Sequence, residues 1–323
     1  MKYSLIVPVY NRPSETAELL ESLRRQSCRD FEVIIVEDGS SVPCADAVAP
    51  YGTAADGLTV RYLTKPNGGP GPARNFGAAQ ARGEWLIFLD SDVTVPEGYF
   101  SALDRELAEK DSDAFGGPDR ADDSFTPVQK AINYSMTSFF TTGGIRGGKK
   151  KLDKFYPRSF NLGIRRTVFE ALGGFSTMRY GEDIDLSIRI FDGGYSCRLF
   201  PDAWVVHKRR ADFRSFFFQV RHSGEARIAL HKKYPSSLKA VHMLPAAFTA
   251  GCFLLVLAGF FRPVAWTPIL VYAWLLFGDS TLKNGGDMKV GLLSAAAGFV
   301  QLTGYGTGFI SAWVRSLRPG RQS

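Results

Sequence analysis

The stretch Trp85-Leu86-Ile87-Phe88-Leu89-Asp90-Ser91-Asp92 decides how the chain folds. Five consecutive apolar residues are too few for a helix and show no polar alternation, so they read as a strand buried on both faces. The run then stops abruptly in two carboxylates. Towards the N-terminus the same pattern recurs at Leu5-Ile6-Val7, Val33-Ile34-Ile35-Val36 and Val60-Arg61-Tyr62-Leu63. Helical periodicity lies between these runs: Leu19, Leu20 and Leu23 form one stripe away from Glu15, Glu18 and Arg25, and Ala73 to Ala81 is alanine-rich after a Gly/Pro turn. The alternation predicts a doubly wound α/β sheet whose ligands bind at the carboxyl ends of the strands.

Towards the C-terminus, residues 116–160 are rich in Gly, Asp, Ser and Lys and predict a mobile loop. Its run Gly147-Gly148-Lys149-Lys150-Lys151 reads as a solvated charge run, the alternative being contact with a phosphate-bearing substrate. Regular structure is expected again at Phe160 to Ile164, at Thr167 to Leu172 and from Gly181 to about Phe191.

The last third differs in kind. Of the 323 residues 45% are apolar, and the net charge of +7 is unevenly spread: residues 1–206 hold 24 basic and 28 acidic groups, 207–240 hold 9 and 2, and 241–323 hold 6 and 2. Residues 240–261, 263–278 and 290–314 contain no Asp, Glu, Lys or Arg. A hydrocarbon core takes about 20 helical residues, so the first segment is long enough, the second short, and the third long but glycine-rich. Trp266, Trp274 and Trp313 fall near segment ends, as interfacial aromatics do. Keeping Arg315, Arg318 and Arg321 on the cytosolic side favours two spans and a third segment broken at Gly304, Gly306 and Gly308 over three full spans.

Between the two parts, Phe213, Phe216, Phe217 and Val220 share a helical face away from Arg214, Arg221 and Arg227. This predicts an interfacial amphipathic helix on an anionic membrane, and the adjoining apolar tail argues against nucleic acid as partner. The organisation expected is therefore a catalytic domain at 1–206, a basic interfacial segment at 207–240 and a membrane region of two to three segments at 241–323. Cys28, Cys44, Cys197 and Cys252 are scattered without CxxC spacing, which signals neither a disulfide framework nor zinc. The apolar stretch before Pro8 is too short for a secretory signal, so the first domain is expected in the cytosol.

The strand exits carry the chemistry. Pro8-Val9-Tyr10-Asn11-Arg12, Glu37-Asp38-Gly39-Ser40 and Asp90-Ser91-Asp92 converge on one crevice. Carboxylates crowded in this way call for a cation, and Asp90 with Asp92 suits Mg²⁺ or Mn²⁺, although a strand-ending Asp also caps helices. The loop Asn67-Gly68-Gly69-Pro70-Gly71-Pro72-Ala73-Arg74-Asn75 opens a helix where backbone N–H groups and Arg74 favour anions, or where glycine simply satisfies a turn. Glu182 and Asp183 stand at a helix start, as caps or as a proton acceptor for a substrate hydroxyl. No GxGxxG follows the first strand, which counts against a dinucleotide-binding dehydrogenase.

In order and spacing VPVYNR, VEDGS, GGPGPARNFG, LDSDV and GGFSTMRYGEDIDLSIRI resemble the family-2-type glycosyltransferases, inverting enzymes of the GT-A fold that use nucleotide-sugars. The resemblance spans residues 3 to about 210 and implies a mixed α/β sheet of that type. It implies that Asp38 bonds the nucleotide base, Pro8 and Tyr10 line its pocket, and Arg74 lies near base and diphosphate. Asn11, Gly71 and Ser91 join these as donor-binding residues. Asp90 matches the ribose- and metal-side carboxylate, Asp92 the direct metal ligand, His207 a third ligand, Asp183 the general base and Glu182 its companion. The QxxRW motif of processive synthases is missing; Gln219-Val220-Arg221-His222-Ser223 lacks the tryptophan, so a single transfer is expected. The expected enzyme sits at the cytoplasmic membrane and glycosylates a lipid-linked or cell-envelope glycan. The alternatives are a catalytically silent nucleotide-sugar sensor and a structural membrane scaffold.

Overall fold

In the computed structural model, which describes residues 1–52, 57–122, 124–143 and 155–317, the five apolar residues before Asp90 form a strand near the middle of a seven-stranded sheet. The strands in chain order are β1 (Tyr3–Val9), β2 (Phe31–Asp38), β3 (Thr59–Lys65), β4 (Trp85–Leu89), β5 (Val93–Thr94), β6 (Ala114–Gly116), β7 (Asp119–Arg120), β8 (Asn161–Arg165), β9 (Cys197–Leu199) and β10 (Val205–His207). The large sheet has the order β3-β2-β1-β4-β8-β6-β9, parallel from β3 to β4, with β8 antiparallel to both β4 and β6. The mixed α/β sheet of a GT-A fold is thus present. Strand order reverses between β1 and β4, which opens the ligand crevice at their carboxyl ends.

Residues 1–122 and 155–208 make up the unit that contains both sheets. Its helices are α1 (Pro13–Arg24), α2 (Ala45–Val48), α3 (Pro70–Ala78), α4 (Tyr99–Glu109) and, after two helices of the other unit, α7 (Arg166–Ala171) and α8 (Glu182–Asp192). Leu5, Val7, Val33, Ile35, Ile87 and Leu89 pack with Leu19, Leu23, Phe100 and Leu103 of α1 and α4. Their neighbours Ile6, Ile34, Val36, Leu86 and Phe88 point the other way, onto Ala73, Phe169, Leu186 and Ile190 of α3, α7 and α8. Helices on both faces are why these strands are apolar throughout. Packing is close at Gly163 of β8, where an added Cβ would lie 2.1 Å from the Phe115 ring. Gly163→Ala is expected to destabilise the protein by about 1–3 kcal/mol through overpacking, to be read as a lower denaturation midpoint.

A second, three-stranded sheet β5-β10-β7 sets Val93 opposite His207. The run Trp204-Val205-Val206 reads as a strand and overlaps β10, but nothing in the sequence pattern announces its pairing with β5 and β7, which are two residues long.

Residues 123–154 and 209–323 form the other unit, with α5 (Pro127–Thr137), α6 (Phe139–Thr142), α9 (Phe213–Lys233), α10 (Leu244–Phe261), α11 (Thr267–Lys283) and α12 (Met288–Ser316). Part of the loop expected at 116–160 is therefore helical. Thr126 and Gln129 form a reciprocal capping box with Pro127 at the first helical position, and Ala131, Ile132 and Met136 are buried. The Gly147–Lys151 run, Arg318 and Arg321 lie outside the described residues.

The apolar face of α9, expected to rest on a bilayer, is instead filled by protein: Phe216 and Val220 pack with Ile132 and Met136 of α5 and with Val300 and Tyr305 of α12. Nor do the glycines break α12, which runs unbroken through Gly304, Gly306 and Gly308. A Cβ at Gly304 would lie 2.5 Å from Val220 Cγ2, and one at Gly308 2.1 Å from the Arg221 carbonyl, so these glycines admit the close approach of α9. Among the described residues, 240–261 is the one helical stretch long and apolar enough to cross a membrane, where two or three segments are expected from composition.

Candidate active site

The first strand-end cluster forms because β4 stops at Leu89 and the chain turns through Asp90, Ser91 and Asp92 into β5. Pairing of β5 with β10 then carries His207 alongside, and the Lys208 N–H donates to the Asp92 carbonyl at 3.0 Å. His207 Nε2 lies 3.2 Å from Asp92 Oδ1, and ligand atoms of Asp90, Asp92 and His207 all fall within 4.8 Å of one another. Among the described residues, His207 Nδ1 is buried without a hydrogen-bond partner, and the ring packs against Phe160. Two carboxylate oxygens and one imidazole nitrogen, gathered at a strand end, fit Mn²⁺ or Mg²⁺ with coordination positions to spare. Arg12, at the exit of β1, donates to Asp92 Oδ2 at 2.7 Å and balances part of this charge.

The second cluster is built on α3 and α8. Arg74 is 3% exposed, stacked on the Phe175 ring, and its two terminal nitrogens are used separately. Nη2 donates to Asp90 Oδ1 at 2.7 Å and Nη1 to Glu182 Oε1 at 2.8 Å. Arg74 thus ties the Asp90 turn to the start of α8. Gly71 makes room for that joint, since a Cβ there would meet the Ser176 carbonyl at 3.0 Å and Glu182 Cγ at 3.5 Å.

Asp183, beside Glu182, accepts from Arg158 Nε at 2.5 Å and from the Ile184 N–H at 2.8 Å. The adjacent carboxylates are driven apart. Burial and the charge of Asp183 hold Glu182 above the usual carboxylate range, more than Arg74 lowers it. Burial also works against ionised Asp183, but the Arg158 guanidinium overrides it and holds Asp183 below that range. Of the two, Asp183 is the carboxylate whose surroundings favour the ionised form, which is what accepting a proton from a hydroxyl requires.

The donor-side residues occupy the exits of β1 and β2. Asp38 is 4% exposed and organises the glycine loop: Oδ1 accepts from Lys65 Nζ at 2.6 Å and the Gly68 N–H at 3.0 Å, Oδ2 from the Gly69 N–H at 2.8 Å. Asn11, at φ 55°, bonds the following turn, its N–H to Ser40 Oγ and its Oδ1 from the Val42 N–H. Tyr10 is exposed, Pro8 half-buried and Ser91 buried. Beneath them Glu37 accepts from Ser40 Oγ, the Cys44 N–H and Tyr62 OH; burial opposes its charge, yet these bonds keep it below the usual range. Burial and the neighbouring Glu37 push the Cys44 thiol up to about 12, which makes it inert.

Asp90, Asp92 and His207 therefore gather as one set, and Arg74, Glu182 and Asp183 as another joined to it through Asp90, while Asp38 and Asn11 shape the loops at the β2 exit. Arg12 and Arg158 are functional neighbours without a role in the sequence reading. Arg12 stands inside VPVYNR, where its neighbour Asp92 is 80 residues away. Arg158 stands in a stretch with no periodicity; the one available hint is that adjacent buried carboxylates call for a cation each.

Comparison with known proteins bears on the family and the fold. The uncharacterized glycosyltransferase EpsJ of Bacillus subtilis (strain 168) is 34% identical over 213 residues, 64% of this chain and 60% of EpsJ. The poly(ribitol-phosphate) beta-N-acetylglucosaminyltransferase TarS of Staphylococcus aureus (strain Mu50) is 42% identical over 94 residues, 28% of this chain and 16% of TarS. The chain thus matches less than two thirds of the length of these curated relatives. Among solved structures, the mannosyltransferase PcManGT from Pyrobaculum calidifontis in complex with GDP-Man and Mn²⁺ superposes with a TM-score of 0.57 at 20% identity, covering 92% of this chain and 86% of that one. Such identity speaks to the fold alone. The family model described as glycosyl transferase family 2 matches residues 4–173, more than half of the chain. The match takes in β1 to β4, the glycine loop and the Asp90–Asp92 turn, and on it the chain belongs to glycosyl transferase family 2, as a glycosyltransferase of the GT-A fold.

Proposed function

We propose that the protein is a membrane-anchored inverting glycosyltransferase that moves one sugar from a UDP- or GDP-linked donor to a hydroxyl of a lipid-linked or cell-envelope glycan. The carrying observation is that Arg74 joins two sets of unlike character, Asp90, Asp92 and His207 on one side and Glu182 with Asp183 on the other. One suits a donor diphosphate, the other an acceptor hydroxyl. Asp90, Asp92 and His207 would hold Mg²⁺ or Mn²⁺, which when bound would supply positive charge for the leaving nucleoside diphosphate. Asp183, ionised and buried, takes the proton of the acceptor hydroxyl as that oxygen attacks the anomeric carbon opposite the leaving group. One displacement inverts the anomeric centre. Pro8, Tyr10, Asn11, Asp38, Gly71 and Ser91 complete the donor side. TarS and PcManGT, by their names and bound molecules, represent the UDP-type and GDP-type options.

Anchoring is supported by residues 240–261, with 6% of their most apolar window buried, and by exposed Phe253, Phe260, Phe261, Trp266 and Trp274. His231, Lys232 and Lys233 at the end of α9 suit an anionic headgroup layer. The reading puts the first unit on the cytosolic side of the cytoplasmic membrane.

The test is a panel of UDP- and GDP-sugars incubated with the full chain, with and without Mn²⁺ or Mg²⁺. Consumption of one donor that requires the ion is expected. Asp92→Ala is expected to raise the ion concentration for half-maximal rate by more than the roughly tenfold that loss of an outer-shell partner costs. An unchanged ion requirement in that variant rejects the metal assignment.

A further inference from the structure

Residues 155–160 run along α8 as a strap, and each contact lands one turn further along the same face. The Tyr156 ring meets Phe191 edge to face at 5.7 Å, the Pro157 carbonyl accepts from Ser187 Oγ at 2.9 Å, and Arg158 Nε donates to Asp183 Oδ2. Positions 183, 187 and 191 are four apart, so they lie one above another on the helix. Both flanks of the strap are fixed. Phe155 and Pro157 pack so closely over Gly116 that a Cβ there would lie 2.7 Å and 2.9 Å from them, and the Asn161 N–H donates to the Arg158 carbonyl at 3.1 Å. Buried Asn161 is itself held by Tyr99 and Ala203. The strap therefore delivers one guanidinium to one carboxylate with little freedom.

We propose that Arg158 is the positioning residue of the reaction: it sets the orientation of the Asp183 carboxylate and keeps it ionised in a buried site. This rests on Asp183 being the base. The geometry goes further than a surface ion pair, because Asp183 is 8% exposed whereas Arg158, at 37%, retains contact with solvent. The charges that face Asp183 are Arg158, Arg74 and Glu182, and Asp90 lies behind Arg74. Arg74 is already shared between Asp90 and Glu182, so Arg158 is the cation committed to Asp183.

The test compares the wild-type chain with Arg158→Met and Arg158→Lys, using Mn²⁺-dependent hydrolysis of UDP-GlcNAc or GDP-mannose, whichever is consumed. Without Arg158, burial of Asp183 is opposed by Arg74 and the Ile184 N–H, and its pKa rises. The acid limb of the pH–rate profile is expected to move up by about 1–3 pH units, with donor KM little changed, and Arg158→Lys is expected to bring it most of the way back. A second readout does not depend on turnover. Asp183 with a raised pKa loses stabilisation as pH rises through that value, so the melting temperature of Arg158→Met should fall furthest below wild type near pH 8 and approach it towards pH 5. A contact made by packing alone would give a gap independent of pH. An unmoved acid limb together with a constant gap overturns the proposal; if Arg158→Met does not fold, Arg158→Gln is read by the same two criteria. Loss of turnover in Asp183→Asn with an unmoved limb in Arg158→Met removes the role of Arg158 alone. Retained turnover in Asp183→Asn removes the base assignment, and the melting gap still decides whether Arg158 governs the Asp183 charge.

Discussion

Asp183→Asn is expected to lower turnover by about 10²–10⁴-fold, the usual contribution of a positioned general base. The substitution keeps the shape of the side chain and its bond from Arg158, but an amide has no basicity to offer an incoming hydroxyl. Donor binding should hardly change, because Asp183 stands with Arg158 and not among the residues at the β1, β2 and β4 exits. Measuring kcat by product formation and donor affinity by calorimetry separates the two effects. A nucleotide-sugar sensor would lose nothing in this variant. An enzyme that kept its kcat would need another base, and the buried, ionised carboxylate at the start of α8 would then be without a catalytic role.

Arg74→Met is expected to cost about 3–5 kcal/mol of stability, because one partner of a buried network is removed and the others are left facing each other. Arg74 is 3% exposed and supplies charge to Asp90 and Glu182 at once. For a unit of this size each kcal/mol is worth about 2–4 °C, so a melting temperature lower by roughly 10 °C is expected near neutral pH. The deficit should shrink in acid. Glu182 already lies above the usual carboxylate range, and without Arg74 it takes up a proton at still higher pH; its stabilising neutral form is present below that value and lost above it. Adding Glu182→Gln to Arg74→Met should recover part of the loss, as coupling within one network requires. A drop below about 1 kcal/mol, the size of an exposed pair, would show that the bridge does not hold the site together.

The two predictions concern residues that differ in how readable they are. Asp183 stands in a run, GEDIDL, that is conspicuous on the page because paired acids at a helix start are local. Arg74 is conspicuous too, but its work is not: a basic residue opening a helix reads as an anion ligand, whereas in the fold it joins Asp90, 16 residues away, to Glu182, 108 residues away. Asp38 behaves likewise. Read as a contact to a nucleotide base, it is found holding Gly68 and Gly69 in place, a task visible only once β2 and the glycine loop are adjacent. The helix α5 was hidden for a different reason. Its capping box is legible, but the surrounding glycines and charges make the stretch look like a loop, and its stability comes from Phe216 and Val220 of a helix that begins 76 residues after its own end.

Run by run, the amino-acid order of this protein determines whatever depends on near neighbours. The apolar run Trp85–Leu89 must be a buried strand, the polar Asp90-Ser91-Asp92 must end it, and the glycine loop must turn into a helix, because each outcome follows from burial and backbone geometry within a few residues. Only the tertiary structure decides which charges meet. His207 reaches Asp92 through a strand pairing of two residues, and Arg158 reaches Asp183 along a strap with no regular structure. Coulomb energy depends on distance in space and on the burial around it, and neither is carried by position along the chain.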